Sequence, residues 1–143
     1  MSRSRSWMMV ALLWVLISGS TCHRADVTAR LGEPVTLRRG HWASFSRRPL
    51  QIAFLRVVED SRCPRNVQCV RAGDAVVQFQ STSAEGGFGS FLASLPGDAP
   101  PDSIPWATWS SYRLHLLRLD PYPQAGVAVD SSTFVVTFVV EKG

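Results

Sequence analysis

The segment 60–75, DSRCPRNVQCVRAGDA, contains two of the three cysteines in the chain and therefore the most reactive side chains. Such a pair could act as a redox couple, bind a metal ion or close a disulfide. Redox pairs usually have two intervening residues at the start of a helix, whereas five residues separate Cys63 from Cys69. The intervening and flanking Pro, Asn, Asp and Gly residues are typical of turns. The spacing favours a structural disulfide between Cys63 and Cys69.

Outside the cysteine segment, the sequence gives little indication of a metal site or a catalytic site. His23, His41 and His115 occur on separate segments without the paired spacing of zinc ligands, so we expect no metal. No nucleophile elbow, zinc-protease helix or phosphate-binding glycine loop occurs, so we expect no cofactor. Asp60 and Asp74 flank the cysteine segment, and an envelope enzyme that uses these carboxylates is one alternative. Capping of turns is the simpler role for both.

Residues 1–20 have the layout of a secretory signal peptide: two arginines, an apolar run from 7 to 17, and the small residues 18–20. The run is shorter than the roughly 20 residues that span a membrane. We predict cleavage before Thr21, which leaves a single exported domain, 21–143, in the periplasm or secreted. The mature chain then has 13 basic against 11 acidic residues, a net charge of +2 that does not suggest a nucleic-acid partner.

Cys22 raises an alternative for the N-terminus. A cysteine just after the apolar run is where bacterial lipoproteins are cleaved and acylated, and pairing Cys63 with Cys69 leaves Cys22 single in an oxidising compartment. The preceding Gly, Ser and Thr fit the lipoprotein cleavage motif poorly. Lipidation of Cys22 is therefore the second choice, and it would be the only contact with a membrane.

The remaining sequence consists of short apolar runs separated by Gly, Pro and Asp, with no sustained helical periodicity. This pattern predicts an all-β fold, either an antiparallel β-sandwich or a small barrel of about seven or eight strands. Strict alternation in two of the segments predicts one buried face each, and a segment that is apolar on both faces, with Ile52, Phe54 and Val58 on one of them, predicts a central strand. The predicted strands are 27–31, 35–40, 41–46, 49–60, 74–81, 88–95, 111–120 and 132–141.

The segment 96–109 contains four prolines and predicts a surface loop. Trp106, Trp109 and Tyr112 occur in and beside it, and they could form an aromatic platform for a sugar or a proline-rich peptide. A different class of function is a protease inhibitor, in which a ring closed by the disulfide presents Arg65 as part of a rigid loop. Exposure of that ring distinguishes the inhibitor from a purely structural connection.

The sequence VVEDSRCP, followed by VQC and by V-R-AGDA, resembles the signature of a group of small, uncharacterised bacterial exported proteins and lipoproteins. The resemblance is strong from Phe54 to Val77, and it departs at Arg71, where a tryptophan is common. It implies the cysteine pair and a β-rich fold, and it implies no activity. The function that we predict is a non-catalytic binding or interaction module of the cell envelope, with an unidentified partner or small ligand.

Overall fold

The computed structural model describes residues 26–85 and 87–143. The predicted signal peptide 1–20, its cleavage site and Cys22 lie outside the described residues. Two short 3-10 helices, Pro101–Ser103 and Ser131–Thr133, accompany the strands, and no helix in the described part of the chain is long and apolar enough to cross a membrane. The strands are β1 Val27–Ala29, β2 Val35–Arg38, β3 Trp42–Phe45, β4 Leu50–Asp60, β5 Asp74–Ser83, β6 Gly87–Pro96, β7 Trp106–Trp109, β8 Tyr112–Asp120 and β9 Val135–Lys142.

Two sheets pack face to face. One has five strands in the order β1-β3-β4-β5-β6, and the other has four in the order β2-β9-β8-β7. All neighbouring strands are antiparallel except β1 and β3, which are parallel. The inner faces of both sheets form one hydrophobic core, in which the rings of Phe79 and Phe138 lie 5.2 Å apart across the sandwich. The predicted all-β sandwich is confirmed.

The alternating segments behave as predicted. In β5, Ala75, Val77 and Phe79 are fully buried while the residues between them are partly exposed, and β9 buries Val136 and Phe138 in the same way. Alternation places every second side chain on the same face of a strand, so these two segments each contribute one face to the core.

Strand β4 occupies the centre of the five-stranded sheet, as expected from its two apolar faces. The assignment of Val58 to the face of Ile52 and Phe54 is wrong, because Val58 is 47% exposed whereas the other two are fully buried. The register with β5 shifts twice, between Phe54 and Arg56 and between Val57 and Glu59. Each irregularity changes which side chains face the core beyond it.

The proline-rich segment contains a ninth strand, so the prediction of a loop across all of 96–109 is also wrong. Its prolines end at position 105, and the four residues of β7 that follow can donate every backbone hydrogen bond. Strand β7 pairs with β8 from Trp106 opposite His115 to Trp109 opposite Tyr112. The loop itself is confined to residues 97–105.

Candidate functional site

The connection between β4 and β5, residues 61–73, is closed by a disulfide between Cys63 and Cys69. The two Cα atoms are 5.9 Å apart, within the range that a disulfide requires. The predicted pairing is confirmed. Residues 61–73 are called the stapled loop below.

A buried arginine anchors the stapled loop to the sandwich. Arg62 is 3% exposed, and its Nε and Nη2 atoms donate to the two carboxylate oxygens of Asp60, each at 2.7 Å. Its Nη1 atom donates to the carbonyl of Leu119, on the opposite sheet, at 2.8 Å. Paired hydrogen bonds between a guanidinium and a carboxylate are among the strongest polar contacts in proteins. Arg62 therefore connects the base of the loop to both sheets.

A second loop, residues 121–134 between β8 and β9, packs against the stapled loop. The Asn66 side chain donates to the carbonyl of Ala125 at 3.3 Å and accepts from its backbone N–H at 2.7 Å. The ring of Tyr122 lies 4.7 Å from the guanidinium of Arg62 and 4.9 Å from that of Arg65. The backbone N–H of Arg65 also donates to Pro123 at 3.2 Å. These contacts order both loops as one unit, called the stapled surface below.

The far end of the second loop has its own polar cap. Asp130 precedes the short helix Ser131–Thr133, and its carboxylate accepts from the backbone N–H and the hydroxyl of Ser132, both at 2.8 Å. The hydrogen bond from the Ser132 backbone, and to a smaller extent the one from its hydroxyl, holds the pKa of Asp130 below the ordinary value for an aspartate. A lowered pKa means that the cap stabilises the loop above the ordinary pKa of an aspartate and is lost as the pH falls through the lowered value.

The tip of the stapled surface is exposed and apolar although its base is fixed. Val70 is 103% exposed, Val67 is 47% exposed, and Val127 on the second loop is 59% exposed. Arg65 and Arg71 are also exposed. A shallow concavity of about 360 Å³ adjoins this tip and is lined by the second loop, with Val127 and Tyr122 among its residues. The surface thus combines apolar contacts with two cations.

The carboxylates of Asp60 and Asp74 each serve the loop. Asp60 pairs with Arg62, and Asp74 accepts from the hydroxyl of Ser61 at 3.2 Å. Neither residue lines the concavity beside the stapled surface. Within residues 26–85 and 87–143, no group of three or more His, Cys, Asp or Glu side chains is arranged to hold a metal ion. The positions of both carboxylates are accounted for by turn structure.

The three aromatic residues singled out in the sequence do not form one platform. Trp106 is 36% exposed on the outer face, with its ring 4.6 Å from that of His115 and 4.5 Å from the guanidinium of Arg113. Trp109 points inward and stacks on Phe91 at 4.0 Å.

The remaining member of that set, Tyr112, is only 2% exposed. Tyr112 lies opposite Trp109 in the pairing of β7 with β8, so both side chains point to the core. Trp106 precedes Trp109 by three residues in β7, and residues three apart in a strand lie on opposite faces. Only Trp106 therefore presents an outer surface.

The fold and this surface define a class: an all-β sandwich that presents two loops, which are ordered by a disulfide, by a buried arginine and by the hydrogen bonds between Asn66 and Ala125. Comparisons with protein-family models, curated proteins and solved structures found no match to this chain.

Replacing both Cys63 and Cys69 with serine is expected to lower the free energy of unfolding by about 2 kcal/mol, because opening a ring of this size frees the unfolded chain only modestly. The contacts of Arg62 and Asn66 remain, so the topology should persist. Urea denaturation measures the change, and Cys22→Ser is the control that removes a cysteine outside the pair. A double variant as stable as the parent protein would contradict the stabilising role of the disulfide.

Proposed function

We propose that this protein is an exported, non-catalytic binding module of the bacterial cell envelope, and that it recognises a protein partner through the stapled surface. The observation that carries the proposal is the combination of order and exposure at this surface. Val70 is fully exposed, yet the loop that bears it is fixed by the disulfide, by Arg62 and by Asn66. A loop that is ordered before binding loses little entropy when it binds, so it gains affinity.

Two features support the location. Residues 1–20 resemble a signal peptide, and a disulfide between Cys63 and Cys69 is stable in an oxidising compartment. The resemblance of the cysteine segment to exported bacterial proteins and lipoproteins agrees with both. Acylation of Cys22 would tether the same domain to a membrane instead of releasing it.

The shape of the surface favours a protein over a small molecule. Small-molecule sites enclose most of the ligand surface, whereas Val70 projects from the loop and the neighbouring concavity is shallow. Apolar side chains rimmed by arginine are typical of protein interfaces, in which arginine is enriched. The partner that fits Val67, Val70 and Arg71 has an apolar cleft bordered by acidic groups.

A protease inhibitor is the second candidate, and the exposure of the ring favours it. Val67 and Val70 are exposed, and no acid in the described part of the chain forms an ion pair with Arg65. The guanidinium of Arg65 lies 4.9 Å from the centre of the Tyr122 ring, so the Arg65 side chain rests on the second loop. Inhibition of a trypsin-like protease that disappears in Arg65→Ala would favour this candidate over the general binding module.

Site-specific photocrosslinking in the producing cell tests the proposal. A photoreactive residue at position 70 or 127 is expected to give a discrete adduct with another protein. The same residue at Arg48, an exposed position before the opposite end of β4, is the matched control and should give none. Adducts of equal yield from Arg48, or adducts from Trp106 alone, would contradict the proposal and place binding elsewhere.

Once the adduct identifies the partner, Val70→Asp is expected to weaken binding by about tenfold or more, because it places an unpaired carboxylate in the apolar cleft of the partner, beside its acidic border. The melting temperature should not change, since the Val70 side chain contacts solvent in the free protein. Titration calorimetry with the purified partner measures the loss.

A further inference from the structure

Among the residues that the structure describes, strand β6 leaves one long edge of the five-stranded sheet unpaired. It is the last strand of that sheet, and the partner it has within residues 26–85 and 87–143 is β5. The strands at the other three sheet edges, β1, β2 and β7, have three or four residues, whereas β6 has ten. Native edge strands are usually protected by short length, charge, proline or a bulge. Residues 87–95 contain no charge and no proline, and their register with β5 has no shift.

The hydrogen-bond pattern shows which residues of β6 face the free edge. The N–H of Gly97 donates to the carbonyl of Gly73 at 2.8 Å, and the register of β5 with β6 continues from this pair without interruption. Bonded and non-bonded pairs alternate in an antiparallel ladder, so the odd-numbered residues of β6 bond to β5. The even-numbered residues Phe88, Ser90 and Leu92 therefore direct their N–H and C=O groups to the free edge.

The same even-numbered residues place their side chains on the outer face, because Phe91, Ala93 and Leu95 face the core. Phe88 is 72% exposed and Leu92 is 53% exposed. An apolar outer row thus runs along an edge whose backbone groups are free to pair. The apolar row ends at Leu92, because the next even-numbered residue is Ser94.

This edge is complementary to itself. When two copies are placed antiparallel with Ser90 opposite Ser90, every hydrogen-bonded pair along the edge joins even-numbered residues, which have free backbone groups. Phe88 of each copy then lies opposite Leu92 of the other, and such apolar cross-strand pairs stabilise a sheet. On the inner face Gly89 lies opposite Phe91 of the other copy, and a Cβ atom at Gly89 would meet no atom of the described residues within 4 Å, so there is room beside Gly89 for that ring. A register that places even-numbered residues opposite odd-numbered ones would need N–H groups that already bond β5.

We propose that two copies of this chain associate through antiparallel pairing of β6 with β6, centred on Ser90, so that two five-stranded sheets become one of ten strands. The association is independent of the stapled surface. It covers Phe88 and Leu92, and it removes the unprotected edge.

Sedimentation equilibrium of the purified protein tests the association. The parent protein is expected to form dimers that dissociate on dilution. Ser90→Pro removes an N–H that faces the free edge and makes no bond to β5, so the fold should persist while the dimer association constant falls by about tenfold or more. A parent protein that is monomeric at every concentration, or a Ser90→Pro variant that dimerises like the parent, would overturn the proposal.

Leu92→Lys provides a second variant if Ser90→Pro lowers stability. It places two like charges at the paired edge, and the dimer should again be lost. Thr82→Lys is the matched control, because Thr82 is exposed on β5, one strand inward from the edge. Equal dimerisation of the Leu92→Lys and Thr82→Lys variants would count against pairing through β6.

Amide hydrogen exchange measured by NMR tests the register. The amides of Ser90 and Leu92 should be protected at dimer concentrations and exchange fast on dilution, whereas those of Phe91 and Ala93 should be protected at both. Protection of the same even-numbered amides in a complex with a different polypeptide would show that a foreign strand occupies the edge, and it would overturn self-association. Protection of odd-numbered amides alone at every concentration would also do so.

Discussion

Replacement of Arg62 by methionine is expected to lower the free energy of unfolding by about 3 kcal/mol, because removing one member of a buried ion pair leaves its partner without compensation. The Asp60 side chain is only 15% exposed, and it would lose both hydrogen bonds from the guanidinium. The carbonyl of Leu119 would lose its donor as well. Methionine retains most of the aliphatic volume, so the loss reports chiefly the polar contacts. Urea denaturation measures it.

Arg118→Met is the matched control for this prediction. Arg118 pairs with Asp120, so it repeats the pairing of an arginine with an aspartate two residues away. Its side chain is 67% exposed, against 2% for Arg62, and solvent screens the pair. We expect little change in stability for Arg118→Met. Similar losses for the two variants would contradict the role assigned to burial of Arg62.

The strand pattern of this protein could be predicted because it depends on local periodicity. Alternation in β5 and β9 specifies which side chains enter the core, and the long apolar run of β4 indicates a central strand. Strand β7 is not predicted because it directly follows a cluster of prolines, which indicates a loop, although its own four residues can pair. The irregularities of β4 depend on the fit between two strands, and a single strand sequence does not encode them.

The candidate site was only partly predictable for a related reason. The disulfide joins residues six apart, so their spacing and the turn residues between them indicate it. The hydrogen bonds between Asn66 and Ala125 join residues 59 apart in the sequence, and no local sequence pattern indicates that the two loops meet. Arg62 looks like any turn arginine in the sequence, and its burial follows from the position of Leu119 on the opposite sheet. The residues that order this surface are brought together by long-range packing, which local sequence patterns do not show.

Once residues 106–109 are known to form a strand, the sequence alone predicts that Trp106 and Trp109 lie on opposite faces of the sheet. A spacing of three residues separates them across the sheet. Proximity along the chain suggests an aromatic platform, whereas the strand geometry divides its members between the solvent and the core.

Gly73→Ala is expected to cost at least about 3 kcal/mol or to prevent folding, because it combines an unfavourable backbone conformation with overlap of backbone atoms. Gly73 has a φ of +66°, and a Cβ atom there would lie 1.8 Å from the carbonyl oxygen of Ser61 and 2.5 Å from its carbonyl carbon. Ser61 cannot easily move away, since its N–H donates to Asp74 at 2.8 Å and its hydroxyl also bonds Asp74. The two ends of the stapled loop meet at this point.

Gly126→Ala separates the two causes. Gly126 has a φ of +79° in the second loop, and a Cβ atom there would meet no atom within 4 Å. This variant should lose only about 1 kcal/mol, the conformational cost of a left-handed residue with a side chain. Urea midpoints of both variants, compared with that of the parent protein, measure the difference. Equal losses would show that the backbone conformation alone matters, whereas a much larger loss for Gly73→Ala supports the close approach that holds the stapled loop on the sandwich.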